Sequence, residues 1–163
     1  MNLHYIITYA KSLQNVKYTP WSLISGETMF YNTIDELPTI TTIQKIGINC
    51  AGLINLLRLY NKKQMPYLEG DYVVGGTVFW YDYFNNRNEL ELFDSTASYP
   101  FGTLILRRYR DTQDQGHLAV IIENNHIIHA YCDDQWDGMV GITPLCDNSD
   151  YYDYIVKSQY WLN

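Results

Sequence analysis

Residues 47–60 read GINCAGLINLLRLY and place a cysteine, Cys50, where a loop passes into an apolar helix. The bulky apolar residues of this stretch recur with helical spacing, at Leu53, Leu56, Leu57 and Tyr60. This spacing predicts a central buried helix that begins close to the cysteine. Free backbone N–H groups and the helix dipole at such a position both favour a thiolate, so Cys50 is a candidate nucleophile.

A cysteine nucleophile needs a base that takes its proton and a third group that orients the base. His117 opens the apolar stretch GHLAVIIE, and His129 lies in the next one, HIIHAYC. Asn124–Asn125 between them predicts a two-residue hairpin turn, with a bulge or a longer loop adjusting the register. We therefore expect His129 to hydrogen-bond the His117 ring and fix its tautomer. His126 is the alternative third residue, but it has the opposite parity on its strand.

The remaining chain predicts helices first and antiparallel strands afterwards. Residues 3–13 have the period of an amphipathic helix, whereas residues 19–40 contain glycine and two prolines and predict a long connection. Residues 75–93 fit either a helix or a hairpin. Short stretches rich in β-branched residues follow Pro100, and residues 152–162 can add a last strand. The expected fold class is α+β, with the nucleophile at a helix N-terminus packed on an antiparallel sheet.

Composition limits the possible functions. A length of 163 residues predicts a single domain, 1–163, and 18% charged residues fit a globular protein. The net charge of −7 argues against nucleic acid as a partner. No apolar stretch approaches the roughly 18 residues of a membrane span, and the N-terminus does not resemble a signal peptide. Oligomeric state cannot be inferred from these features.

The three cysteines, Cys50, Cys132 and Cys146, cannot all pair within one chain and contain no CxxC spacing. A disulfide framework and a zinc site are therefore disfavoured, which predicts a cytoplasmic or otherwise intracellular protein without a cofactor. Cys132 and Cys146 carry no catalytic pattern and are interpreted as core or loop thiols.

These stretches resemble one family. GINCAGLINLLRLY is similar to the nucleophile helix of NlpC-type cysteine peptidases, in the papain-like superfamily, and GHLAVIIENNHIIHA is similar to the base strand and the strand after it. YPFGTLIL resembles the Pro-Gly-Asp-Leu strand that precedes the base in that family. The resemblance implies that Cys50 is the nucleophile, His117 the base and His129 the orienting residue. It also implies an amidase or peptidase that cleaves a peptide or isopeptide bond through a thioester, after the thiol pKa has been lowered towards neutrality.

The chain departs from the family beside the nucleophile. The family usually has Asp before and Ser after the cysteine, where they help to hold a free amine, and this chain has Asn49 and Ala51. The Asp of the Pro-Gly-Asp-Leu strand is Thr103. The ionic anchor for a peptide amine is thus absent at these positions. Asn49, Ala51 and Tyr18 of KYTPW are the candidate substrate-binding residues.

Three other functions remain open. A catalytically silent binding module could use the same fold, and an acyltransferase or esterase could use the same residues on an acyl substrate. Cys50, His117 and His129 are also metal-ligand types, although no fourth ligand is evident. Permuted relatives, such as the lecithin retinol acyltransferase-like enzymes, carry the histidine before the cysteine. Here Cys50 comes first, so that order is disfavoured.

Overall fold

A computed structural model of the chain describes residues 3–20, 36–70, 73–145 and 151–163. Its five α-helices are α1 Leu3–Ser12, α2 Ile40–Ile46, α3 Cys50–Tyr60, α4 Thr77–Asn85 and α5 Ser158–Trp161. Its six strands are β1 Glu91–Leu92, β2 Leu104–Arg107, β3 His117–Ile122, β4 His126–Cys132, β5 Gly138–Pro144 and β6 Tyr154–Val156. These elements, all in the described ranges, confirm the predicted α+β class. None of the helices in those ranges is long and apolar enough to cross a membrane.

The six strands form one antiparallel sheet in the order β1-β6-β2-β3-β4-β5. Arg107 lies directly opposite His117 where β2 pairs with β3. The pairing of β3 with β4 runs from Ile122–His126 to Val120–Ile128. Before Val120, β3 is paired with β2, and after Ile128, β4 is paired with β5. The start of β3 and the end of β4 are therefore not paired with each other, and they leave an opening in the sheet.

Both faces of the central strands are covered. Alternating residues of β3, Leu118 and Val120, belong to the main core with α1 and α3, whereas Ala119 and Ile121 pack in a second cluster with Tyr152. Successive strand side chains point to opposite faces, which explains why every residue of β3 is buried. His117 and His129 share the face of the second cluster.

Gly47 places the segment around Tyr18 beside the start of α3. Its backbone is left-handed, with φ of 90°, and a Cβ there would collide with the Thr19 hydroxyl. Glycine allows this close approach without strain. Tyr18 then forms a parallel bridge with Ile48 and donates its backbone N–H to the Gly138 carbonyl. Tyr18, the candidate groove tyrosine, is therefore held against Ile48, which lies two residues before Cys50 at the start of α3.

Helix α3 carries one buried charge, which the structure satisfies with carbonyl groups. Arg58 is only 3% exposed and donates to the carbonyl oxygens of Trp161 at 2.6 Å and Gln64 at 2.9 Å. Its guanidinium also lies over the Trp80 ring at 5.6 Å. A buried charge is tolerated only when it is hydrogen-bonded in this way. The contact ties the C-terminal segment to the helix that begins with Cys50.

The loop between β3 and β4 differs from the prediction. A two-residue turn at Asn124–Asn125 is wrong: residues Glu123–Asn125 form a single 3₁₀ turn, with Asn125 in a left-handed conformation at φ of 57°. The register needs no bulge, because the three-residue connection places Ile122 opposite His126. Of the two interpretations of residues 75–93, the helix is the observed one for residues 77–85. Most of the connection predicted over residues 19–40 lies outside the described residues.

Candidate active site

Cys50 is the first residue of α3, and the residue before it caps the helix. The Asn49 side-chain oxygen accepts a hydrogen bond from the Gly52 backbone N–H at 2.8 Å. Asn is one of the preferred residues at this position because it satisfies one of the four N–H groups left free at a helix start. The N–H groups of Cys50 and Ala51 lie near the thiol, as does that of Leu118 at the start of β3. Three backbone donors thus face the sulfur from two elements.

Burial controls the charge state of the thiol. Cys50 is 7% exposed, and burial raises the pKa of its thiol to about 11, while the surrounding backbone N–H groups lower it by less. The lowered thiol pKa that the resemblance implied is therefore wrong for this structure. The helix N-terminus favours a thiolate, but desolvation outweighs it. At neutral pH, Cys50 is protonated.

The two histidines form a hydrogen-bonded chain across the opening in the sheet. His117 Nε2 lies 2.9 Å from His129 Nδ1, and His129 Nε2 lies 3.1 Å from Thr143 Oγ1 on β5. The His117 and His129 rings meet edge to face, at an interplanar angle of 77°. His117 Nδ1 is the ring nitrogen that these two hydrogen bonds leave unused. His126 lies on the opposite face of β4, as its parity predicted.

Both rings are neutral at pH 7. Burial lowers the pKa of His117 well below its usual value of 6.5, and the neighbouring His129 and Arg107 lower it further. Burial alone lowers the pKa of His129 to about 4. The resting pair is consequently a neutral thiol with a neutral imidazole, and proton transfer between them would have to accompany the attack on a substrate.

A groove of about 1110 Å³ joins these residues. Cys50, His117 and His129 line it together, and so do all three candidate substrate-binding residues, Tyr18, Asn49 and Ala51. Within the described ranges the charged residues of its lining are all carboxylates: Asp114, Asp133 and Asp134. The site residues proposed from the sequence therefore occupy one concave surface.

The three candidate substrate-binding residues differ in what they offer. Tyr18 is half-buried, stacks on Trp136 with ring centroids 6.3 Å apart and donates its hydroxyl to the Cys132 thiol. Burial and the nearby cysteines raise the pKa of Tyr18, so it stays a phenol. Asn49 has its oxygen engaged in the cap. Ala51 offers a methyl group and a backbone N–H.

The sequence did not reveal several residues of the groove. Thr143 and Trp136 lie on or beside β5, a strand that was not predicted, and Cys132 was interpreted as a plain core or loop thiol. Cys132 instead lines the groove and accepts the Tyr18 hydroxyl. Cys146 lies outside the described residues. Where the structure describes the chain, no group of three or more His, Cys, Asp or Glu side chains is arranged to hold a metal ion.

Replacing Asn49 separates its capping role from its proximity to the thiol. Asn49→Ala should lower the free energy of unfolding by about 0.5–2 kcal/mol, because the Gly52 N–H loses its acceptor. Asn49→Asp keeps an acceptor and should change stability little, but its charge beside Cys50 should raise the thiol pKa. Urea unfolding and the pH dependence of Cys50 alkylation by iodoacetamide measure the two effects. Equal losses of stability in both variants would contradict the capping role.

The fold is similar to that of a solved structure along nearly the whole length of both chains. That structure is the NlpC/p60 domain of the peptidoglycan hydrolase SagA, which aligns with a TM-score of 0.53 and 16% sequence identity over 96% of this chain and 99% of that one. No protein-family model and no curated protein matches this sequence. At 16% identity the likeness shows the fold alone. The α+β arrangement, with a helix beginning at Cys50 packed on an antiparallel sheet, is an NlpC/p60-like fold.

Proposed function

We propose that this chain is a cysteine-dependent hydrolase that cleaves an amide bond of a peptide-like substrate through a thioester intermediate. The observation that carries the proposal is the 2.9 Å hydrogen bond between His117 Nε2 and His129 Nδ1 in the groove that also contains the Cys50 thiol. A nucleophile, a base and a residue that orients the base are the parts that such chemistry requires. The SagA domain, which belongs to a peptidoglycan hydrolase, supports a peptide-like substrate.

The proton route follows from the ring contacts. His117 must carry its hydrogen on Nε2 and donate it to His129 Nδ1, so that Nδ1 of His117 can accept the thiol proton. His129 then carries its own hydrogen on Nε2 and donates it to Thr143 Oγ1. Each ring remains neutral before the reaction, in agreement with the lowered pKa values of both.

The reaction balances with these groups and one water. As the Cys50 sulfur attacks the carbonyl carbon, its proton passes to His117 Nδ1, and the carbonyl oxygen takes the negative charge. The Cys50 backbone N–H is a donor to that oxygen, and a donor of this kind is worth on the order of 3 kcal/mol. The imidazolium returns its proton to the leaving amine, the C–N bond breaks, and a thioester remains. Water, deprotonated by His117, then releases the acid and the thiol.

The proposal is tested by trapping the acyl-enzyme with a small activated ester. Incubation with p-nitrophenyl acetate at pH 7, followed by peptide mapping with mass spectrometry, should locate one acetyl group on Cys50. Cys50→Ala should abolish this acetylation. Cys132→Ala, which removes the neighbouring thiol of the groove, is the matched control and should retain it. A panel of peptide 4-nitroanilides then identifies the amide that is cleaved.

The opposite result would favour the alternative of a binding module. If Cys50 stays unmodified and the protein releases p-nitrophenol no faster than Cys50→Ala does, the histidine pair does not activate the thiol. The fold would stand in that case, but the hydrolase proposal would not.

A further inference from the structure

Arg107 faces the proposed base from the neighbouring strand. It is the last residue of β2 and lies directly opposite His117 in the β2–β3 pair, so both side chains leave the same face of the sheet. Its guanidinium lies over the Tyr151 ring, 4.2 Å from the ring centroid, and its Nη1 donates to the Tyr151 carbonyl oxygen at 3.0 Å. Arg107 thus holds both the ring and the backbone of Tyr151.

Tyr151 in turn contacts the His117 imidazole. Its ring meets the His117 ring edge to face, with centroids 5.7 Å apart and an interplanar angle of 66°. The neighbouring Tyr152 lies at 6.1 Å from the same ring. The His117 imidazole is therefore bounded by the hydrogen bond to His129 and by a tyrosine that an arginine holds in place.

Asp114 fixes the guanidinium itself. Arg107 Nε donates to Asp114 Oδ1 at 2.9 Å, and Nη2 donates to the other carboxylate oxygen. The side chains of Arg107 and Asp114 are 19% and 23% exposed, so this two-point contact is largely shielded from water. Paired planar groups define the orientation of arginine better than a single contact does. Arg110 Nη1 shares the same carboxylate at 3.1 Å.

We propose that Arg107 is a positioning residue for the base: it holds Tyr151 against the His117 imidazole and places a fixed positive charge beside that ring. This inference rests on the proposed function, in which His117 must stay unprotonated until the thiol attacks. Arg107 acts through Tyr151 and through its charge, without touching the reacting atoms. A charge of this sign opposes formation of a second cation close by.

Several other groups surround His117, and the effect of Arg107 on the His117 pKa has to be separated from theirs. His129 faces the ring from β4, Tyr151 and Tyr152 face it from the segment before β6, and Cys50 lines the same groove from α3. Burial is the first cause of the lowered His117 pKa, His129 the second and Arg107 the third. Among the groups facing the ring, the fixed positive charge comes from Arg107, and Asp114 offsets part of it.

Two substitutions that change this charge in opposite directions test the inference. Arg107→Gln removes the cation and should move the protonation midpoint of His117 to higher pH. Asp114→Asn leaves the cation without its counter-charge and should move the midpoint to lower pH. The measurement is an NMR titration of the imidazole C–H signals of the full chain, with the His117 signal identified by its absence in His117→Ala.

A third variant separates charge from geometry. Arg107→Lys keeps the cation, so the midpoint of His117 should stay close to that of the unmodified protein. Lysine cannot make the two-point contact with Asp114 or lie flat on Tyr151, so acetylation of Cys50 by p-nitrophenyl acetate should slow. A loss on the order of 10²-fold is the size that accompanies a base displaced by about 1 Å.

Opposite shifts in Arg107→Gln and Asp114→Asn support the inference, and shifts in the same direction or none at all overturn it. Should Arg107→Gln fail to fold, the direction of the shift in Asp114→Asn decides alone. The titration does not require Cys50 to react. Shifted midpoints with an inert Cys50 would refute the hydrolase and keep the electrostatic role of Arg107, whereas unmoved midpoints with a reactive Cys50 would refute only the role of Arg107.

Discussion

Replacing His117 with Ala is expected to slow acetylation of Cys50 at pH 7 by about 10²–10⁴-fold, the usual contribution of a positioned general base. The size of the effect follows from the buried thiol. With a pKa of about 11, Cys50 is almost wholly protonated at neutral pH, so it can attack only if a neighbouring group takes its proton during the step. His117, the proposed base, is a neutral imidazole in the same groove.

The shape of the pH profile makes this prediction more specific than a loss of rate. In the unmodified protein the acetylation rate should be nearly constant around neutral pH, because His117 remains unprotonated there. In His117→Ala only the thiolate can react, and its fraction should grow tenfold per pH unit up to about pH 11. The matched control is His126→Ala, which lies on the opposite face of β4. Parallel profiles in His117→Ala and the unmodified protein would contradict the role of the base.

The sequence predicted those helices and strands that have a strong hydrophobic pattern or that contain a candidate site residue. The α3 helix is almost entirely apolar, and the all-buried strand β3 reads as a continuous apolar run. Helix α2 has only seven residues, and β5 has no regular alternation of buried and exposed positions. Strand β5 is nevertheless paired with β4 along its full length. It is therefore defined by backbone hydrogen bonds to β4, which the residues of β5 alone do not predict.

The sequence likewise predicted some residues of the candidate site and not others. Cys50, His117 and His129 line one groove. They could be picked out from the sequence because a cysteine at a helix start and histidines on two neighbouring strands are the residue types that thiol chemistry uses. Arg107 and Tyr151 meet His117 only through tertiary packing: the arginine is ten positions before the histidine, and the tyrosine follows it by a longer distance. No spacing rule links the three. The thiol pKa could not be inferred either, since burial is a property of the fold.

Acidification from pH 6.5 to 4 is expected to lower the free energy of unfolding by about 3 kcal/mol through His129 alone, at about 1.4 kcal/mol per unit of pKa shift. His129 is 5% exposed, and burial lowers its pKa from 6.5 to about 4 in the folded chain. The unfolded chain therefore binds a proton near pH 6.5, whereas the folded chain does so only near pH 4. Stability is thus complete above pH 6.5 and is lost as the pH falls. The lowered pKa of His117 adds to the loss in the same direction.

Urea unfolding followed by tryptophan fluorescence, at pH values from 7.5 to 4.5, measures this loss above the range in which most carboxylates titrate. His129→Gln should be less stable than the unmodified protein at pH 7.5, because the His117 ring loses its partner. Its stability should nevertheless fall less on acidification, since His129 no longer gains a proton and only His117 of the pair still does. His126→Gln, on the same strand but the opposite face, is the control and should keep the full pH dependence. If His129→Gln loses as much stability as the unmodified protein between pH 7.5 and 4.5, His129 is not the buried neutral histidine that the hydrogen-bonded chain requires.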